Sequence, residues 1–201
     1  MSAILNIFIS TFIKLFFVLA PFFVLTMFLA LTRHMEPQQQ RRTAVRVAIA
    51  VYAICMCLFF FGEMIFKLFG ITLDSFRIGA GALLFLSAVG LVRGPQAAPE
   101  HQTEGDISVV PLAIPITVGP ATTGALMVMG ATMQDPMERV VGSVALLGAV
   151  ACVGIVLYMA SPLERMLGRV GLSILTKLTG LILAALSAQI IFTGIRNFLA
   201  L

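Results

Sequence analysis

The chain has 201 residues, of which 60% are hydrophobic and only 11% charged. Soluble domains sit nearer 45–50% apolar and about 25% charged, so this composition excludes a soluble globular protein and makes lipid the solvent for most of the chain. The net charge of +4 is modest and its basic residues lie between apolar runs, which excludes a nucleic-acid-binding stripe; the length leaves room for one membrane domain.

A membrane span needs about 20 mainly apolar residues, and the sequence predicts six. The N-terminus has no basic segment ahead of its first apolar run, because Lys14 comes too late, so the first span is expected to stay in the mature protein. Span 1 covers 12–31, and residues 2–12 either extend it or lie at the interface. Span 2 covers 47–66 and span 3 covers 77–93. A polar linker, 94–107, follows; it holds two prolines, two glycines and His101, a residue read as solvated. Span 4 covers 108–131, span 5 covers 140–160 and span 6 covers 178–195. Cys55, Cys57 and Cys152 all fall in apolar runs and read as small hydrophobes. Cys55 and Cys57 are separated by about 200° on a helix, which makes them poor co-ligands.

Lys and Arg in short loops orient the spans. Arg33, Arg41, Arg42, Arg46, Arg93, Arg165, Arg169 and Lys177 fall on one side, against Lys14, Lys67, Arg77, Arg139 and Arg196 on the other. Eight against five places the first group inside and both termini outside.

The chain also repeats itself. "EMIFKLFGITL" (63–73) parallels "ERMLGRVGLSI" (164–174), with Glu63 matching Glu164, Gly70 matching Gly171 and Thr72 matching Ser173. Arg77 matches Lys177, and "LSA" at 86–88 recurs at 186–188. Upstream, Glu36-Pro37 matches Asp135-Pro136, and Pro21 is set against Pro115. The matches keep their order at offsets drifting from 94 to 101. They point to duplication of a three-span unit, with repeat one over 1–93 and repeat two over 108–201. Three is odd, so the second copy is inverted, the plan of many secondary transporters. The expected fold is therefore an all-α membrane protein: six transmembrane helices as two inverted three-helix repeats in a single integral membrane domain, with broken helices in spans 1 and 4.

The break in span 4 is written in "PLAIPITVGPATTG" (111–124). Pro removes a backbone donor and clashes with the carbonyl four residues back, and in lipid a freed carbonyl needs a partner. Pro111, Pro115 and Pro120 therefore predict a broken helix, with Gly119 and Gly124 making room. Thr117, Thr122 and Thr123 can bond freed carbonyls or a ligand. Broken helices present N–H groups, C=O groups and helix-end charges at mid-membrane, which suit a zwitterionic solute. The alternative is a kink for close packing.

"DISVVPLAIPITVGPATTGALM" (106–127), "FGEMIFKLFGITLDSFRIGAGALLF" (61–85) and "LTKLTGLILAALSAQIIFTGI" (175–195) resemble the MarC family of small bacterial inner-membrane proteins. The resemblance implies six spans in the plasma membrane and, for some members, carriage of small neutral amino acids. The fourth-span signature falls on Pro111, Leu112, Ala113, Pro115, Gly119 and Pro120. The family's first-span Asp-Pro-x-Gly-Asn-x-Pro reads here as "APFFVLT" (20–26). Only Pro21 remains; Ala20, Phe23, Val24 and Thr26 replace the Asp, Gly, Asn and second Pro.

The substrate-binding candidates are Pro21, Thr26, Pro115, Thr117, Gly119, Pro120, Thr122 and Thr123. Glu63 and Arg77 are the coupling or gating candidates. Glu63 stands four residues before Lys67, which suits a helical ion pair; the other reading is a coupling carboxylate, since acids within spans mark function. Arg77 follows Asp74 at the start of span 3, either as an anchor or as a partner for a solute carboxylate. Gly79 and Gly81 are expected to allow close packing. The sequence has no HExxH, P-loop or GxSxG motif, so neither an enzyme, a metal site nor a cofactor is expected. The expected partners are the lipid bilayer and a small neutral solute, with a homo-oligomer left open and no nucleic acid. The function read from these features is secondary transport of a small neutral solute such as a small neutral amino acid. The second reading is a non-transporting scaffold or accessory subunit that keeps the fold.

Overall fold

A computed structural model describes residues 2–94 and 112–199 and, within these, not the side chains of Ser2, Ala3, Glu63, Leu112, Ile114 and Pro115. The linker from residue 95 onward, His101 and Pro111 lie outside the described residues. All regular structure among the described residues is helical. Among the described residues, five segments are long and apolar enough to cross a membrane: Ile4–Leu31, Pro37–Gly62, Leu73–Arg93, Pro136–Tyr158 and Ala160–Phe198.

Helix α1 spans Ser2–Val18 and α2 spans Pro21–Leu31. Residues 2–12 thus extend the first span as continuous helix. The chain breaks at Ala20, whose φ of 46° and ψ of 58° are left-handed. Ala20 is the non-glycine residue at positive φ among those described. For an alanine that conformation costs roughly 1–2 kcal/mol. Pro21 explains the position: it has no N–H to continue α1, and its fixed φ suits the first position of a new helix.

Helix α3 runs Pro37–Phe69, again with Pro in its first turn. It ends at left-handed Gly70, where the Ile71 N–H reaches back to the Phe66 carbonyl at 3.0 Å. Helix α4 is Leu73–Arg93, capped where the Thr72 hydroxyl accepts from the Ser75 N–H at 3.2 Å. After the linker, Leu112–Thr117 form a π-helical segment in which the Val118 N–H bonds the Ala113 carbonyl at 2.9 Å. Gly119 is extended, and Pro120 opens α5, Pro120–Thr132. Helix α6 is Pro136–Tyr158, with the Asp135 carboxylate accepting from the Met137 N–H at 3.0 Å. Helix α7 is Ala160–Phe198, interrupted at Gly168, whose φ of 63° and ψ of 174° are not helical.

Two larger apolar clusters hold the bundle, with a smaller one of Phe66, Met127 and Ala131 joining α3 to α5. In one, Leu19, Val24, Leu25 and Phe28 of the first span pack against Val51, Cys55 and Phe59 of α3 and Leu146, Val150 and Val153 of α6. The other joins Leu84 and Ala88 of α4, Leu183 of α7 and Ala121 and Ala125 of α5 to Val18 and Ala20 at the first break. Glycines set the closest approaches. A Cβ on Gly81 would lie 3.1 Å from the Ser187 carbonyl oxygen, and one on Gly180 would lie 2.9 Å from that of Ala88. Gly130 lies against the Phe59 carbonyl. Gly79, expected to share this role, has nothing within 4 Å of a built Cβ. The outer surface is apolar in turn: Leu68, Met166, Val170 and Phe192 are each at least 70% exposed, a surface suited to lipid and costly in water.

Candidate functional site

Each break frees a carbonyl that a continuous helix would have paired. At the first break it is that of Val18, left by the turn at Ala20. At the second it is that of Thr117, left where the chain turns extended at Gly119 ahead of α5. The two carbonyls share one donor. The Thr122 hydroxyl lies 3.3 Å from the Val18 oxygen and 3.2 Å from the Thr117 oxygen, and Thr122 is buried. Unpaired carbonyls are expensive in a membrane interior, so this hydroxyl is what lets two breaks meet there. The new helices then start in parallel fashion: the Val24 N–H bonds the Ala20 carbonyl at 3.0 Å, and the Thr123 N–H bonds the Gly119 carbonyl at 2.9 Å.

A cavity of about 240 Å³ opens beside the first break. Val18, Ala125, Leu186 and Ile190 give it an apolar side, and Thr11, Lys14, Arg77, Thr132, Gln189 and Thr193 give it polar groups. Arg77 is held by its neighbours. It donates to the Asp74 carboxylate at 2.6 Å and to the Thr132 hydroxyl at 3.1 Å, while the Asn197 amide donates to the same Asp74 oxygen at 3.3 Å. These bonds tie one end of α4 to the ends of α5 and α7. At the opposite end of the bundle, Gln40 donates to the Thr32 hydroxyl at 2.9 Å and accepts from Ser161 at 2.8 Å. There the Arg41 guanidinium lies 5.2 Å above the Tyr158 ring centroid.

The residues singled out from sequence fall into three groups. Pro21, Thr117, Gly119, Pro120 and Thr122 do come together, as the two breaks and their shared hydrogen bond. Thr26 donates to the Phe23 carbonyl at 2.7 Å within its own helix, and Thr123 is half-buried one residue beyond the clasp. The side chains of Pro115 and Glu63 lie outside the described residues. Of all these candidates, Arg77 lines the cavity. Thr11, Gln189 and Thr193 were missed in the sequence, although each is a polar residue inside a long apolar run, which is the signal that could have found them. Lys14 carried only topological weight.

Long apolar helices, two of them interrupted by proline where they meet in the interior, define a polytopic α-helical membrane protein. The chain matches the description "MarC family integral membrane protein" over residues 5–199, and it belongs to that family. It is 35% identical to a UPF0056 membrane protein of Methanocaldococcus jannaschii, over 97% of this chain and 98% of that one. It is 31% identical to the UPF0056 membrane protein YhcE of Escherichia coli, over 95% and 93%. It is 27% identical to YvbG of Bacillus subtilis, over 94% of both chains. No solved structure matches.

Proposed function

We propose that the protein is a secondary transporter of a small neutral solute, such as a small neutral amino acid, in the plasma membrane. In this reading it crosses the bilayer six times as two inverted repeats, with both termini outside. One spacing supports the repeat. Pro21 and Pro120 each open a helix after a break, and Pro37 and Pro136 each open the following one; both pairs stand 99 residues apart. Gly81 and Gly180 keep the same spacing, as do the carbonyls they approach, those of Ala88 and Ser187. Pro120 thus replaces Pro115 as the counterpart of Pro21. The left-handed Gly70 has its nearest counterpart in Gly168 rather than Gly171.

The sixth crossing is the π-helical segment with α5. The bonded ends favour it, since Arg77, Thr132 and Asn197 meet at one end and Thr32, Gln40 and Ser161 at the other. The observation that carries the functional reading is the cavity: it is partly polar, it is sized for a small solute, and its wall includes Val18, one of the two carbonyl bearers at the paired breaks. Flux of radiolabelled glycine or alanine into proteoliposomes under proton or sodium gradients is the expected outcome. Absence of flux for every small amino acid under both gradients would overturn it.

A second reading has its own observation. Phe23 and Val24 stand on α2 where Thr122 and Thr123 stand on α5, at the same spacing of 99, and the Thr122 hydroxyl is spent on backbone. Such a filled, half-apolar junction suits a non-transporting scaffold or accessory subunit. A stable complex with another membrane protein in mild detergent, without flux, supports that reading.

A further inference from the structure

We propose that the cavity between α1, α4, α5 and α7 is a carboxylate-binding site, with Arg77 and Lys14 taking the carboxylate and Thr11 a second oxygen or an adjacent polar group. The inference deepens the transport reading by naming the group on the solute that is recognised, and it moves that recognition away from the helix breaks. Four observations carry it. First, the described lining holds two cations and no carboxylate; Asp74 pairs Arg77 from outside the lining, which leaves the Lys14 charge unmatched, so the cavity favours an anion.

Second, Arg77 is prearranged. Its side chain is 12% exposed, and its bonds to Asp74 and Thr132 use one N–H on each terminal nitrogen. A guanidinium has five N–H donors in a fixed fork, so three remain for a ligand, and the fork does not need to be ordered on binding. Asp74 is itself shared with Asn197, which fixes the far side of the fork.

Third, Thr11 is only 5% exposed, lines the cavity, and makes no hydrogen bond among the described residues. No described side-chain oxygen is both fully buried and unpaired, so the Thr11 hydroxyl opens onto the cavity, where a ligand oxygen would pair it. Fourth, the size fits. About 240 Å³ is space for roughly eight waters at about 30 Å³ each, enough for a carboxylic acid of a few carbons. Its chain would lie along Leu186, Ile190 and Ala125.

Binding to the purified protein in nanodiscs tests this without relying on flux. The probes are sodium propionate, alanine and the uncharged isostere propionamide, titrated calorimetrically at matched ionic strength in sodium chloride. Propionate and alanine are expected to bind and propionamide to bind at least tenfold more weakly. Arg77→Gln is expected to weaken propionate at least tenfold, and Lys14→Met and Thr11→Val about three- to tenfold each. Lys14 makes no ion pair among the described residues and is exposed, so Lys14→Met tests the site even if Arg77→Gln fails to fold. Equal binding of propionate and propionamide overturns the proposal. So does unchanged propionate affinity in folded Lys14→Met and Thr11→Val, or no propionate binding at all. Carboxylate binding without flux leaves the site standing and removes transport; flux that ignores all three substitutions does the reverse.

Discussion

The carbonyl oxygens of Val18 and Thr117 stand 99 residues apart in the chain and face the same hydroxyl, that of Thr122, at 3.3 and 3.2 Å. One side chain therefore closes both helix breaks. Thr122→Val keeps the shape and removes the donor, leaving two buried carbonyls without it. The expected cost is about 1–3 kcal/mol of stability, read as a lower melting temperature in detergent. Thr122→Ser keeps the hydroxyl and loses only a buried methyl group, an expected cost of about 0.8 kcal/mol. If the valine variant melts like wild type, the clasp is not what stabilises the breaks.

Gly168 and Gly171 separate two origins for the interruption in α7. Gly168 adopts a φ of 63° with a ψ of 174°, a region open essentially to glycine alone, and a Cβ there would meet nothing within 4 Å. Gly168→Ala should therefore cost about 1–3 kcal/mol through backbone strain alone. Gly171 is helical; a Cβ there meets the Leu167 Cβ at 3.3 Å. The gain of up to about 1 kcal/mol in helix propensity offsets that contact, and Gly171→Ala should be close to neutral. Thermal melts of the two variants decide between them.

The long apolar runs and the two proline breaks were legible in the sequence, because lipid solvation and the missing proline N–H act locally; the helix starts were not, since α3 begins at Pro37, ten residues before span 2. The last helix was harder. The repeat pairs Gly70 with Gly171 through the matching Thr72 and Ser173, yet the positive-φ interruption falls at Gly168. A three-residue shift costs little in a pattern of small and aliphatic residues. Arg77 was legible as a candidate, but its neighbours were not. Thr11, Thr132, Gln189 and Thr193 come from three helices, and only packing brings them to one cavity. Gly79 and Gly81 looked alike in sequence because a two-residue step changes helix face, and the face decides which one meets α7.

That difference between faces is measurable. A Cβ on Gly81 would lie 2.6 Å from the Ile191 Cγ1 and 3.1 Å from the Ser187 oxygen, whereas one on Gly79 meets nothing within 4 Å. Gly81→Ala should force α4 and α7 apart and cost about 1–3 kcal/mol. Gly79→Ala should be neutral, or stabilising by up to about 1 kcal/mol through propensity. Equal melting temperatures for the two variants would mean that α4 and α7 do not pack in this register.

The six-crossing topology makes opposite predictions for two exposed helix starts. Gln38 lies in the first turn of α3 and Met137 in the first turn of α6, and both are exposed. Gln38 is near Gln40, which bonds Thr32 and Ser161 at one end of the bundle. Met137 is near Arg139, which donates to the Met133 carbonyl at 2.7 Å, beside the Thr132 that Arg77 reaches at the other end. In the proposed topology the arginine excess around Arg33, Arg41, Arg42 and Arg46 puts the first end inside. In a variant with Cys55, Cys57 and Cys152 replaced by Ala, Met137→Cys should react with a membrane-impermeant maleimide added to intact cells. Gln38→Cys should react only after the membrane is opened. Labelling of both from outside would contradict the crossing by the π-helical segment and α5, since three crossings separate the two positions only if that one is made; the reverse pattern would invert the orientation, placing the mouth of the Arg77 cavity on the cytoplasmic side.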